Sequence, residues 1–556
     1  MFVVLLASLL ALFLIANRGA YAGYFSDDDL DNLSWTRGAR LSDFASGLVS
    51  PRYYPHNFRP AGHLYFHLMG KGAGLDYRWY IAVIHLLHFI NIALVWLLLR
   101  KLDLPALAAG AGTLVFAFHM GVFDALWKPM FVFDLLCALF CLLSLISYTA
   151  RRWWLSLLLM WLAYKSKEQA LMLPLVLLAW EGWLGERQWK RLIPFVAVSA
   201  LFGSQALLMN PAAGPDYTLR LSLLTTVPFY ASHLLLVPYA GLVVLLTPLV
   251  VRDRRLYFGL ALLALLLLPM LFLPGRLFGA YLYAPLAGLA VVAAVIASRL
   301  HPAWIAGFFL VWLPFNYQHL RNQRRAALTI AQENHAYVTA VGEAVRGAPE
   351  ATSFLYDGAP PGMRRWGING ALRWFTGRGE TPLYSVEDQN LREAFQSPAV
   401  LLLSWDNAER KLYTASRAPG APEVAYLAMS RTTPIWQLED GWYPLERDYR
   451  WIRPRARARL WRPGNARRFT LSVNVGPAYI ADVKQSRVEV LINDVPLEAR
   501  LFTQSGWRME TWDLAPAPAG AVAVEFSVHP EYRPVKTDPR VLGIAIGGFG
   551  FAEGNP

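Results

Sequence analysis

IAVIHLLHFINIALVWLLL (residues 81–99) carries no charged side chain over nineteen positions. At about 1.5 Å of rise per residue it extends for roughly 28 Å, close to the thickness of a bilayer's hydrocarbon core. A second run, LYFGLALLALLLLPMLFLP (256–274), has the same character. Around them, 55% of the 556 residues are hydrophobic and 16% are charged, a balance too apolar for a soluble globular protein. The runs read as membrane spans.

Apolar segments are expected at about 2–17, 80–99, 104–122, 130–149, 153–164, 168–183, 192–209, 226–250, 256–274, 277–298 and 303–318, which gives about 11 transmembrane helices. MFVVLLASLLALFLIANRGAYAGY at the start carries small residues near Ala20 and Ala22, as a secretory signal does, but no basic region precedes its apolar stretch. It reads as an uncleaved first span.

The net charge of +13 sits largely in short loops. Arg100 and Lys101, Arg151 and Arg152, Arg187, Lys190 and Arg191, Arg252, Arg254 and Arg255, and Arg299 occupy every second loop; the complementary loops hold Lys128, Lys165, Lys167, Arg220 and Arg276. Basic loops stay cytoplasmic, so the N-terminus is expected inside and the long first loop, 18–79, outside, with the C-terminal region. Arg321, Arg324 and Arg325 oppose that assignment; if the last segment does not cross, the tail is cytoplasmic. Orientation accounts for the positive charge without nucleic acid. Cys137 and Cys141 lie in one apolar run, so the polar region has no cysteine for a disulfide.

From about residue 330 the composition becomes that of a soluble protein. ALTIAQENHAYVTAVGEAVRG (327–347) has helical amphipathicity, and TSFLYDG, TPLYSV and AVLLLSWDN read as short strands, predicting a small α/β domain over 330–425. FTLSVNVGP, SRVEVLIND, VAVEFSVHP and VLGIAIGGFGF lie between turn residues and predict a jelly-roll-like β-sandwich over 426–556. The membrane domain then covers 1–320.

The outward loops hold the chemistry-bearing residues. YFSDDDLDNLSW (24–35) crowds Asp27, Asp28, Asp29 and Asp31 behind a span, where mutual repulsion calls for a compensating cation or a shared proton. A carboxylate there can serve as a general base, or the cluster can be a capped helix start with a solvated acidic turn. NFRPAGHLYFHLMG (57–70) supplies Arg59, whose fork suits a phosphate, and His63 and His67 on one helix face, either structural or metal-binding. FAFHMGVFDALWKPMFVFDLL (116–136) brings Asp124, Lys128 and Asp134; an acid at membrane depth faces a cavity or a partner. YKSKEQALMLP (164–174) adds Lys165, Lys167 and Glu168. No phosphate-cradling glycine loop occurs in the cytoplasmic loops, so a donor sugar is expected to be lipid-linked.

In order and topology these motifs resemble the GT-C superfamily, in particular protein O-mannosyltransferases and the transmembrane mannosyltransferases that carry tetratricopeptide repeats. The aspartate pair of that family is matched by Asp28 and Asp29, with Asp27 as another register. Its Arg-Pro and following apolar stretch are matched by Arg59, Pro60 and HLLHFINIALVW. His119, Asp124 and the DLL at Asp134 match a later motif, Lys167, Glu168 and Pro174 another, and Tyr281, Leu282, Tyr283 and Pro285 a Tyr-Leu-Tyr-x-Pro segment. The chain departs in having Asp124 where Glu is frequent, Ala280 where a base often stands, and the α/β and β-rich tail in place of repeats.

The resemblance implies an inverting glycosyltransferase in a bacterial inner membrane that moves a sugar from a polyprenyl-phosphate donor to a hydroxyl of a glycan or protein outside. Asp28, or its neighbours Asp29 and Asp27, would act as base with Asp124 orienting a substrate; Arg59 and Lys167 would hold the phosphate, with His63, His119, Asp134, Glu168 and Tyr283 completing the binding set. It implies no required cofactor, and a divalent metal is not indicated. Two alternatives are a ligase or transferase acting on envelope polysaccharide, and a non-catalytic anchor or transporter displaying a carbohydrate-binding domain.

Overall fold

The computed structural model describes residues 2–52, 58–209, 218–534 and 540–553. The chain divides into two compact units, Met1–His335 and Ala336–Pro556.

The first unit is helical and is that of an integral membrane protein. Among the described residues, Tyr77–Lys101, Ala106–Trp127, Pro129–Thr149, Trp189–Leu208 and Arg254–Phe272 are long and apolar enough to cross a bilayer. The expected segment 226–250 is a bent pair instead: Leu223–Leu235 and Ala240–Val250 meet at 87°, and counting them as one span makes six. Pro238 lies in the break, and Leu236 and Tyr239 on either side take left-handed backbone, φ 58° and 59°, which ends a right-handed helix. Three more of the expected spans are short helices, Trp153–Ser166, Leu173–Trp183 and Leu286–Ala297. Prolines explain two of these: Pro174 and Pro285 sit at helix starts, where their missing N–H costs nothing.

Sequence composition separates a last membrane segment from an amphipathic helix, but Pro302–Gly347 is one continuous helix of 46 residues. The change in side-chain polarity near residue 320 does not interrupt the backbone, because Arg, Gln and Ala there are good helix formers.

Small residues set the helix packing. A side chain at Gly288 would lie 2.4 Å from the Leu263 backbone nitrogen, and one at Gly112 would lie 2.3 Å from the Ala290 carbonyl oxygen. Leu286–Ala297 is thus wedged between Arg254–Leu267 and Ala106–Ala117 at backbone contact. Apolar helices gain no hydrophobic term from meeting in lipid, so close approach supplies the dispersion that joins them.

The second unit is β-rich. It begins with a four-stranded sheet in which Ser353–Asp357 lies between parallel neighbours Leu383–Ser385 and Val400–Asp406, with Lys411–Arg417 antiparallel beyond. Helices Arg365–Thr376 and Leu391–Gln396 fill the crossovers. Two antiparallel sheets follow. One runs Val495–Pro496, Ser486–Ile492, Gly520–His529, Arg455–Arg462; the other runs Gly506–Asp513, Ala466–Val475, Ala545–Glu553, Tyr449–Ile452, Trp442–Glu446, with Tyr426–Ala428 also pairing to Ala545–Glu553. Phe469, Leu471, Val473 and Val475 alternate inward along one strand, and Phe526 of one sheet meets Phe549 of the other at 4.9 Å between centroids. The two sheets share one core.

Candidate functional site

The segment that follows the first apolar helix folds into the helix Asp27–Gly38, and its acidic start is locally determined. Ser26 is the N-cap, and the Asp29 carboxylate turns back to accept from the Ser26 backbone N–H at 3.0 Å and from its hydroxyl at 3.1 Å. This capping box satisfies helix-end donors, and the helix dipole favours acids in the first turn. It also divides the acidic cluster. Asp29 points inward with Leu30, Leu33 and Thr36 and is 1% exposed. Asp28, Asp31, Asn32 and Trp35 lie on the opposite face and line a cleft. Asp27 is outside the lining. Burial pushes the Asp29 carboxyl up to about 7 despite the two Ser26 hydrogen bonds.

The helix is held by Pro60–Gly72, whose N-cap is Arg59. His63 accepts from the Arg59 backbone N–H at Nδ1, 2.9 Å, which leaves the proton on Nε2 to donate to Asn32 Oδ1 at 3.0 Å. His67 donates from Nδ1 to the Thr36 carbonyl at 2.8 Å. Burial, then the charge of Arg59, lowers His63 to about 3, so the ring is neutral. Both histidines brace the acidic helix. No group of three or more metal-ligating side chains occurs among the described residues.

The cleft has a volume of about 870 Å³. Arg59, Lys167 and Arg276 line the same cleft as Asp28 and Asp31. Arg59 and Glu168 form a two-point ion pair, Nε to Oε1 and Nη2 to Oε2, each 2.9 Å, while the guanidinium lies over the Phe133 ring. Burial works against the Arg59 charge, but Glu168 overcomes it and keeps the cation firmly protonated. Lys167 reaches Asp134 at 2.5 Å, with side-chain exposures of 8% and 3%, and its ammonium sits 4.1 Å from the centre of the Tyr281 ring. Arg276 donates to the Tyr281 hydroxyl at 3.3 Å. Leu171, Leu175, Val196, Ala200, Leu207 and Leu268 add an aliphatic lining to the cleft. Basic and aliphatic side chains lining one cleft can hold an anionic head on a hydrocarbon tail, while Asp28 can accept a proton.

Of the residues singled out in the sequence, Asp28, Arg59, His63, Asp134, Lys167 and Glu168 come together here. Asp124 lies outside the lining and pairs with Lys128 at 2.9 Å. His119 is buried, bonded to the Leu234 carbonyl at 2.8 Å. Tyr283 is buried against His88, 2.7 Å, and Asn91, 3.3 Å; Asn91 in turn donates to the Leu135 carbonyl beside Asp134. Asp31, Asn32 and Trp35 follow Asp28 at helical spacings of three, four and seven, a signal legible in the sequence. Arg276 and Tyr281 carried none of that kind, because only folding brings them into the same cleft as residue 28.

No protein-family model and no curated protein matches the chain. Among solved structures it is similar to ArnT from Cupriavidus metallidurans bound to undecaprenyl phosphate, with 13% identity, 73% of this chain and 93% of that chain covered, and a TM-score of 0.47. The same protein in the apo state gives 14% identity, the same coverage and a TM-score of 0.46. Arabinofuranosyltransferase AftD from Mycobacteria gives 12% identity, a TM-score of 0.44, and coverage of 99% of this chain and 59% of that one.

Proposed function

We propose that this protein is a GT-C-type glycosyltransferase that moves a sugar from a polyprenyl-phosphate donor to an acceptor hydroxyl at the outer membrane surface, with inversion at the anomeric carbon. The observation that carries the reading is one cleft lined by Asp28 and other carboxylates, by Arg59, Lys167 and Arg276, and by aliphatic side chains. Asp28 takes the proton of the acceptor hydroxyl as its oxygen attacks the anomeric carbon. The bond from that carbon to the phosphate oxygen breaks, and the polyprenyl phosphate leaves with the electron pair. A general base at the right position contributes roughly 10²–10⁴-fold.

Arg59, Lys167 and Arg276 stabilise the charge that develops on the departing phosphate. Arg59 and Lys167 are oriented in advance by Glu168 and Asp134, so little reorganisation is needed when a phosphate arrives. Trp35, beside His63 at 4.7 Å between ring centroids, offers a face on which a sugar can stack near Asp28. The C-terminal unit would be extracytoplasmic.

Purified protein incubated with a panel of polyprenyl-phosphate sugars and glycan or peptide acceptors is expected to release polyprenyl phosphate only when the acceptor has a free hydroxyl. Release from nucleotide sugars instead, or none from any lipid-linked donor, overturns the reading.

A further inference from the structure

Strand Ala545–Glu553 runs through the larger antiparallel sheet with glycine at 547, 548 and 550. A bulge between Ile546 and Gly548 makes Gly547 an extra residue opposite the strand Ala466–Val475. The strand therefore presents almost bare backbone on the face away from the core. Trp507 lies on it from one side: its ring atoms come within 3.1 and 3.4 Å of where a Gly547 side chain would start. Tyr426 lies on it from the other, its hydroxyl 2.7 Å and its ring carbon 3.2 Å from the corresponding point of Gly548. Trp507 remains 48% exposed and Tyr426 40%. Both side chains are thus partly covered by the sheet and partly open.

Tyr449 meets Trp507 edge-on at 5.6 Å and Trp451 at 6.4 Å between centroids, widening the aromatic surface. The register puts Asn474 beside Trp507, Ser472 beside Met509 and Thr470 beside Thr511 on this face. These are neutral hydrogen-bonding groups. The charges in the next row, Arg468 and Asp513, are paired with each other at 3.4 Å.

We propose that this face is a carbohydrate-binding platform that stacks a neutral pyranose chain on Trp507 and Tyr426. A pyranose ring has a face of C–H groups, whose positive hydrogens complement the negative face of an aromatic ring, and a rim of hydroxyls that suits Ser, Thr and Asn. An aliphatic partner would need an apolar patch not broken by those hydroxyl and amide groups. A charged ligand would need charges not already paired on the face. The site is independent of the cleft chemistry and takes a saccharide whether or not the chain transfers sugars.

The test uses the full chain in detergent micelles, titrated calorimetrically and by tryptophan fluorescence with neutral gluco-, manno- and galacto-oligosaccharides of six units. At least one is expected to bind, with affinity reduced about tenfold or more in Trp507→Ala and in Tyr426→Ala. Trp507→Phe, which keeps a ring, should retain most of the affinity. Asp28→Asn should bind normally, so failure here is separable from failure of the transferase reading. No binding by any oligosaccharide overturns the proposal, as does equal affinity in both alanine variants with circular dichroism unchanged. A shift of oligomeric state in Trp507→Ala without a change in saccharide affinity assigns the face to a second copy and also overturns it.

Discussion

Arg59 and Glu168, 109 positions apart in the chain, meet in a two-point ion pair at the wall of the cleft. Arg59 is the N-cap of one helix and Glu168 opens a short turn between two apolar helices, so the pair fastens two segments far apart in the chain. The geometry matches that in which a guanidinium receives phosphate, two parallel N–H donors to two oxygens.

Arg59→Lys keeps the charge and loses the fork. A lysine ammonium is a point charge on a flexible stem and cannot hold both carboxylate oxygens in that geometry. The expected result is a KM for the lipid donor raised about tenfold, roughly 1.4 kcal/mol, with a smaller change in kcat. Steady-state transfer measured against donor concentration checks it; an unchanged KM would remove Arg59 from phosphate binding.

The acidic cluster should divide by face. Asp28→Asn is expected to lose transfer by about 10²-fold or more, the scale of a general base, with the fold intact. Asp29→Asn keeps an acceptor oxygen for Ser26 and should lose less than about tenfold while changing stability instead. Transfer rates paired with thermal unfolding of the same preparations decide this. Comparable rate losses in both variants would mean that the two carboxylates are not separated by the helix.

Asp29 also makes stability depend on pH. Its folded-state value of about 7 lies above the ordinary carboxyl value of 3.8, so the folded chain holds the proton more tightly than the unfolded one. The stabilisation is full below about pH 4 and is lost as pH rises toward 7, up to on the order of 4 kcal/mol. The unfolding midpoint of the native protein minus that of Asp29→Asn should fall across this interval and be flat above it. Parallel curves for the two proteins would count against a buried, proton-binding Asp29.

The Lys167–Asp134 pair is buried enough for its halves to be costly alone. Asp134→Asn or Lys167→Met leaves one group unpaired and should cost about 3–5 kcal/mol. The double variant should cost less than the two losses added, because no charge is left behind. Unfolding midpoints of the four proteins form the cycle; strict additivity would show that the two do not interact.

The apolar runs determined by themselves that this is a membrane protein, since bilayer thickness fixes how much uncharged helix a crossing needs. Local rules also reached the capped acidic helix, because Ser26 and Asp29 are three residues apart and the box needs nothing from elsewhere. Strand alternation such as that of Phe469, Leu471 and Val473 marked the β-rich tail, since a period of two is a property of the strand alone. Hydropathy could not tell which apolar segments are straight spans. The 87° break at Pro238 and the shortened helices around Pro174 and Pro285 depend on how neighbours accept the freed backbone.

Nor could the sequence order the four acids around Asp28. All lie within one short segment, and only the packing of Asp27–Gly38 against Pro60–Gly72 decides that Asp29 is buried while Asp28 and Asp31 face the cleft. Tertiary structure alone pairs Glu168 with Arg59 and Asp134 with Lys167 and brings Arg276 to the cleft that Asp28 lines, because these groups come from segments far apart in the chain and no local periodicity encodes their meeting.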